Sequence, residues 1–231
     1  MQPSNAHPTT TPRWLALSGI VFAVLFLVGW FASGALTPDY GAADEDWTNW
    51  ADDNQWRSRI SAFSMLLAGF VFLHFAATTR SAPGTPESAD RASPYLARVA
   101  FAGGVTGMAG MTMAMVMTAG ATTEGADSDP VVSRAVMTAS GGPFLLAAMG
   151  LAAFLLAAGL LTLRTGVFAR WTGIVALIGA AGFLVAFATV LSGLGEDSPF
   201  GYGFFPGVLA LVVWSIATSV ARYRALGAPP S

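Results

Sequence analysis

The sequence predicts an all-α membrane protein: a compact antiparallel bundle of six transmembrane helices, with short helices lying on its outer surface. Three observations predict it. Hydrophobic residues fill 54% of the 231 positions and charged residues only 10%, where a soluble domain carries about a quarter charged. Six apolar runs are each long enough to cross a bilayer core of about 30 Å, which takes roughly 20 helical residues. The segments between those runs alternate in charge. A mean hydropathy of +0.60 leaves such a chain stable only where most of its surface meets lipid.

The first span is read at 14–36, after a polar tail at 1–13 with nothing to bury, expected to be disordered. Its apolar stretch exceeds a signal-peptide core of about 7–15 residues. The small-residue step Ser33-Gly34-Ala35 is therefore read as part of a retained anchor rather than a cleavage site. After it comes 44–57, Asp-Glu-Asp-Trp-Thr-Asn-Trp-Ala-Asp-Asp-Asn-Gln-Trp-Arg. Trp47, Trp50 and Ala51 share one face at i, i+3 and i+4, and the acids open the segment as the helix dipole prefers. That pattern predicts a short amphipathic helix lying flat on the membrane surface.

The second span follows at 60–79, then a Pro-, Ser- and Gly-rich linker at 80–91. The third, 95–121, holds the only charge inside any span, Arg98, at its start. Gly103, Gly107, Gly110 and Ala114 form a small-residue stripe that lets another backbone approach closely. Met108, Met111 and Met115 share a face beside it, with Met113 and Met117 opposite. Thioethers are soft enough for Cu(I), but gap-filling by flexible Met explains both faces, so no metal is expected. The glycines predict a central third helix.

Asp129-Pro130 supplies an N-cap and a first-turn proline, and Gly141-Gly142-Pro143 reads as a break. The fourth span, 143–163, is thus expected to begin after an outer half-helix carrying Arg134. A short connection at 164–170 forces the fifth span, 171–194, to run antiparallel to it. The sixth spans 204–221, and the membrane domain of 14–226 closes on a tail at 227–231.

Direction comes from the arginines. Arg13, Arg80, Arg91, Arg98, Arg164, Arg170, Arg222 and Arg224 fall on one side with only Glu87 and Asp90, and the remaining eleven acids fall on the other with Arg57, Arg59 and Arg134. The positive-inside rule makes the arginine side, with both termini, cytoplasmic. Arg13-Trp14 and Arg170-Trp171 pair a cation with an indole at the start of a span, where an amphipathic ring prefers the interface. Arginine as the sole cation in an Ala- and Gly-rich chain suggests a bacterial cytoplasmic membrane.

Composition also excludes chemistry. Without Cys there are no disulfides, iron–sulfur clusters or thiolate nucleophiles. Without Lys there is no Schiff base. Of the two histidines, His7 lies in the tail and His74 toward the cytoplasmic end of the second span. An intramembrane ionisable group is a functional hypothesis by default. His74 is accordingly a candidate intramembrane polar site, with hydrogen bonding to a neighbouring helix as the plainer role.

The Arg-Trp start, the acidic Trp segment ending at Trp56-Arg57 and the run Leu163-Arg-Thr-Gly-Val-Phe-Ala-Arg-Trp171 give a layout that resembles a loose group of uncharacterised bacterial six-span membrane proteins with no assigned activity. The resemblance implies no site residue and no cofactor.

No catalytic motif or intramembrane carboxylate pair appears, so no enzyme, no cofactor and no nucleic-acid partner is expected. The function expected is a non-catalytic component that binds lipid or a membrane protein partner, a second copy included. The alternative is a small permease or channel for a neutral or cationic solute. Trp47, Trp50, Trp56 and Arg134 on the outer face are the candidate ligand-binding residues, where aromatic and polar groups converge near a helix break.

Overall fold

Among the described residues, six helices long and apolar enough to cross a membrane follow one another along the chain. The computed structural model describes residues 13–33, 38, 42–80, 92–122, 129–192 and 202–227. The tails at 1–12 and 228–231, the linker at 81–91 and the step at 34–35 lie outside the described residues. The helices are α1 (Ser18–Ser33, entered through a 3-10 turn at Arg13–Leu17), α2 (Asp44–Arg80), α3 (Ala92–Ala121), α4 (Pro130–Thr165), α5 (Arg170–Phe187, with a further turn at Thr189–Ser192) and α6 (Phe204–Ala225).

Packing register shows every sequential pair to be antiparallel. Phe22 of α1 meets Phe72 of α2, while Gly29 meets Met65 and Ser61. Ser61 of α2 reaches Met115 of α3, and Phe72 reaches Gly104. Gly103 and Gly110 of α3 face Phe154 and Ala147 of α4. Gly159 faces Gly173 of α5, and Gly182 faces Gly207 of α6. The circle closes where Trp30 of α1 stacks on Phe204 and Gly19 meets Ser219. Because the descent alternates, Arg13, Arg98, Arg164, Arg170, Arg222 and Arg224 gather at one end, and every described carboxylate lies at the other.

Lipid tails are as apolar as Leu, so packing rather than water exclusion must hold such helices together. The closest approach is between α3 and α4. A Cβ built on Gly107 would sit 2.7 Å from the backbone nitrogen of Leu151, and one on Gly110 would sit 2.7 Å from the Pro143 carbonyl oxygen. A Cβ on Gly150 would overlap the backbone of Gly107. The glycine stripe of α3 is thus buried as expected, but α4 occupies the more central place. It packs against α2, α3, α5 and α6, while α3 packs chiefly on α2 and α4.

Aromatic side chains fill the centre. Trp214 of α6 touches Phe154 of α4 at 5.3 Å between ring centroids, Phe154 touches Phe72 of α2 at 5.2 Å, and Phe72 touches Phe22 at 5.0 Å. The chain of rings continues through Phe26 and Trp30 to Phe204 and then Phe183 of α5. From Trp214 to Phe204 it covers about 15 Å of α6 at about 1.5 Å per residue. Met108, Met111 and Met115 are buried against this core, and Met113 faces outward. The Ser61 hydroxyl lies 2.8 Å from the Gly29 carbonyl oxygen and 3.2 Å from the Met115 sulfur, tying three helices at one point.

Two expectations about the acidic end need correction. Residues 44–57 form no separate surface helix: α2 runs unbroken for 37 residues, about 55 Å. Its buried stripe of Trp47, Trp50, Ala51, Asn54, Ser58, Ser61, Met65, Ala68 and Phe72 keeps the same spacing throughout, so one helix serves both segments. Likewise Gly141-Gly142-Pro143 breaks nothing, and α4 runs for 36 residues with Pro143 in its interior. A proline can sit inside a spanning helix where neighbours re-satisfy the freed backbone, and here α3 packs directly against that turn. Both helices therefore extend beyond the apolar layer at the acidic end as paired arms.

Truncating a central ring should leave a void that lipid cannot refill. Phe154→Ala should cost about 2–3 kcal/mol of unfolding free energy in detergent, the cavity share of a Phe truncation. Phe31→Ala, at a position 69% exposed on α1, should cost under about 0.5 kcal/mol.

Candidate functional site

Asp129 starts the α4 arm. Its Oδ1 accepts the Val131 N–H at 3.0 Å, and Pro130 occupies the first turn, where no N–H is needed. This start places Arg134 one turn in, facing the beginning of α2. One Arg134 nitrogen, Nη2, donates to the Ala42 carbonyl oxygen at 3.1 Å and to Asp44 Oδ1 at 3.0 Å. The guanidinium also lies 5.6 Å from the centre of the Trp47 ring. Exposed ion pairs of this kind contribute at most about 1 kcal/mol, and Asp44 is 68% exposed. The contribution here is geometric: one cation ties the first turns of both arms together.

Beneath it sits a small apolar cluster of Trp47, Trp50 and Ala51, with Ala42 and Met137 packed against it. Trp47 is 1% exposed and Trp50 8%. The two indoles meet edge to face, 5.9 Å apart at 74°, the geometry that the ring quadrupole favours. The Asn54 side chain donates to the Trp50 carbonyl oxygen at 2.9 Å. Among the described residues, the buried donors Trp50 Nε1 and Arg134 Nε meet no hydrogen-bond partner.

The structure therefore brings Trp47, Trp50 and Arg134 together and leaves Trp56 out. Trp56 is 70% exposed on the far side of α2, since six residues of helix turn it well away from Trp50. His74 is not directed into the bundle either. It lies on the exposed face of α2, its ring edge-on to Phe70 at 5.1 Å. The lipid-facing row Phe63, Leu66, Phe70 and Leu73 has the same period, which would have placed His74 outside had it been traced first.

Polar groups that the sequence reading passed over lie on α6. Trp214 Nε1 and the Ser215 and Ser219 hydroxyls are buried without hydrogen-bond partners among the described residues, and Ser219 Oγ packs onto Gly19. Their signal is the spacing Trp214-Ser215-x-x-Thr218-Ser219 within a span, which puts all four on one face. No group of three or more His, Asp or Glu that could hold a metal ion occurs among the described residues. No protein-family model, curated protein or solved structure matches this chain.

Trp50 tests how this cluster works. Trp50→Ala should cost about 3 kcal/mol, because the arm cannot close over the void. Trp50→Phe keeps most of the bulk and deletes an unpartnered donor, so it should fall within about 1 kcal/mol of wild type. Thermal unfolding in detergent followed by circular dichroism measures both. Equal losses in the two variants would mean that the indole N–H has a partner.

Proposed function

We propose that this chain is a non-catalytic component of a bacterial cytoplasmic membrane that binds a lipid or a membrane protein partner through the paired arms of α2 and α4. In this reading the arginine end and both termini face the cytoplasm, and the arms stand on the outer side. The observation that carries it is the filled centre. A permease needs a continuous polar path or a gated one, whereas Phe22, Phe72, Phe75, Phe154 and Trp214 meet ring against ring where such a path would run.

The arms support the binding role. They extend the two longest helices past the apolar layer, and carry the acidic groups Asp44, Glu45, Asp46, Asp52 and Asp53 with an exposed indole at Trp56. Clustered carboxylates favour cationic or neutral surfaces over anionic ones. Aromatic side chains are the residues that dominate contact energy at interfaces. Partner binding at such a surface needs no transport path through the bundle.

Two experiments test the two halves of this reading. A reporter active only in the cytoplasm should be active when fused after Arg164 or Arg224, and inactive after Asp53 or Asp129; reversal at either pair overturns the orientation. Purified protein in liposomes should pass neither ions nor small neutral solutes above the protein-free rate. Flux that is lost on Phe72→Trp would make the permease reading correct instead.

A further inference from the structure

Arg98 is a charge within a spanning helix that neither the arms nor the core uses. It lies in the second turn of α3, about 9 Å from the start of that helix at about 1.5 Å per residue. Ionisable groups in such a place ordinarily face the bundle interior and pair there. Arg98 does neither: it is exposed, and among the described residues it joins no hydrogen bond or ion pair. The packing of α3 forces this direction. Gly103, Gly107 and Gly110 are held against α4, and Gly104 and Met115 against α2. Tyr95, Arg98, Ala102, Ala109, Met113 and Val116 are left on the outward face.

Helical side chains lean toward the helix N-terminus, and α3 begins at the arginine end. The Arg98 guanidinium therefore leans toward the membrane surface, as a long cationic side chain on an apolar wall prefers. Tyr95, 66% exposed and one turn nearer that surface on the same face, sets an amphipathic ring at headgroup depth. The start of α3 adds the positive end of its dipole. Exposed Arg164, Arg170 and Arg224 add charge of the same sign, and no carboxylate occurs at this end among the described residues. At the other end Arg57 has Asp53 one turn before it on α2, a favourable helical spacing. Arg98 has no such neighbour, so its counter-charge must come from outside the described chain. A phosphate suits a planar fork by accepting two parallel hydrogen bonds.

We propose that Arg98 holds the phosphate of an anionic phospholipid whose acyl chain runs down the outward face of α3. Ala102 and Ala109 keep that face low, whereas the helices packed on either side expose larger groups, Leu66 and Leu73 on α2 and Leu146 and Leu156 on α4. A soluble phosphate would match the fork but leave this apolar lane unused. A second copy seated on the same face would bring Arg98 against its own image, because a two-fold interface pairs like with like, and two unneutralised guanidiniums repel. Such a site needs only that the start of α3 lies at a membrane surface, and it stands or falls separately from the binding role of the arms.

The test is lipid retention by the purified full chain in detergent, titrated with phosphatidylglycerol or phosphatidylcholine and read by native mass spectrometry. Wild type should hold phosphatidylglycerol about tenfold more tightly than phosphatidylcholine. Arg98→Gln should cut that ratio about fivefold, the weight of one basic residue at an anionic membrane surface. Arg164→Gln makes the same charge change in the last turn of α4 and should cut it less than about twofold. Arg98→Lys keeps the charge and should retain most of the preference, losing only what the planar fork adds. Because Arg98 has no partner among the described residues, Arg98→Gln should unfold at the wild-type temperature in lipid-free detergent; a lower temperature would reveal a partner within the chain and overturn the site. Equal retention of the two lipids by wild type, or equal effects of Arg98→Gln and Arg164→Gln, overturns it as well. Displacement of phosphatidylglycerol by inorganic phosphate at equal concentration overturns the assignment to a lipid.

Discussion

Backbone contact between α3 and α4 is the constraint on which the other contacts depend. In lipid, two helices gain nothing from hiding apolar surface from each other, so their attraction is dispersion between closely fitted surfaces. Gly103, Gly107 and Gly110 on one helix and Gly150 on the other remove the side chains that would separate the backbones. Leu151 and Phe154 flank Gly150, and the register that seats Gly150 on Gly107 also delivers Phe154 to Phe72 and Trp214. The seam between two helices therefore sets the position of the central rings contributed by four.

The division of labour follows. α3 contributes thinness and flexible thioethers, while α1, α2, α4, α5 and α6 contribute aromatic bulk. Looser glycine contacts repeat the same device between α4 and α5 at Gly159 and Gly173, and between α5 and α6 at Gly182 and Gly207. Polar groups enter where they can be shared. Ser61 bonds across to α1 and α3 at one point, and Ser133 donates its hydroxyl to the Ala121 carbonyl oxygen at the end of α3. Beyond the apolar layer dispersion no longer suffices, and Arg134 on Asp44 with the Trp47 and Trp50 pair takes over.

Span number, helix order and the small-residue face of α3 were legible because each depends on local features: run length, charge and four-residue spacing. Continuity of α2 and α4 was not. Residues 44–57 were read as a surface helix separate from the second span because their acids do not belong in lipid, and the Gly-Gly-Pro of 141–143 as a break because it disfavours a helix taken alone, whereas the partner arm and α3 support continuity in both. The buried stripe from Trp47 through Asn54, Ser58 and Ser61 carried the continuity in its period, hidden by its polar members. Within the site, Trp47, Trp50 and Arg134 could be named from composition, but the meeting of Arg134 with Asp44, 90 positions apart in sequence, needs the fold. Trp56 and His74 were chosen for their chemistry, although their phase on α2 points both outward.

Two positions on α4 test the role of the seam most directly. A Cβ on Gly150 would strike the backbone of Gly107, whereas one on Gly142 would meet nothing within 4 Å. Both are glycines in the same helix, so replacing either with Leu gives the same gain in helix propensity, about 0.5–1 kcal/mol. Equilibrium unfolding of the two variants in detergent therefore isolates close approach. Gly142→Leu should match or exceed wild type, and Gly150→Leu should lose several kcal/mol or fail to assemble. Equal stability of the two variants would contradict the claim that backbone contact between α3 and α4 organises the bundle.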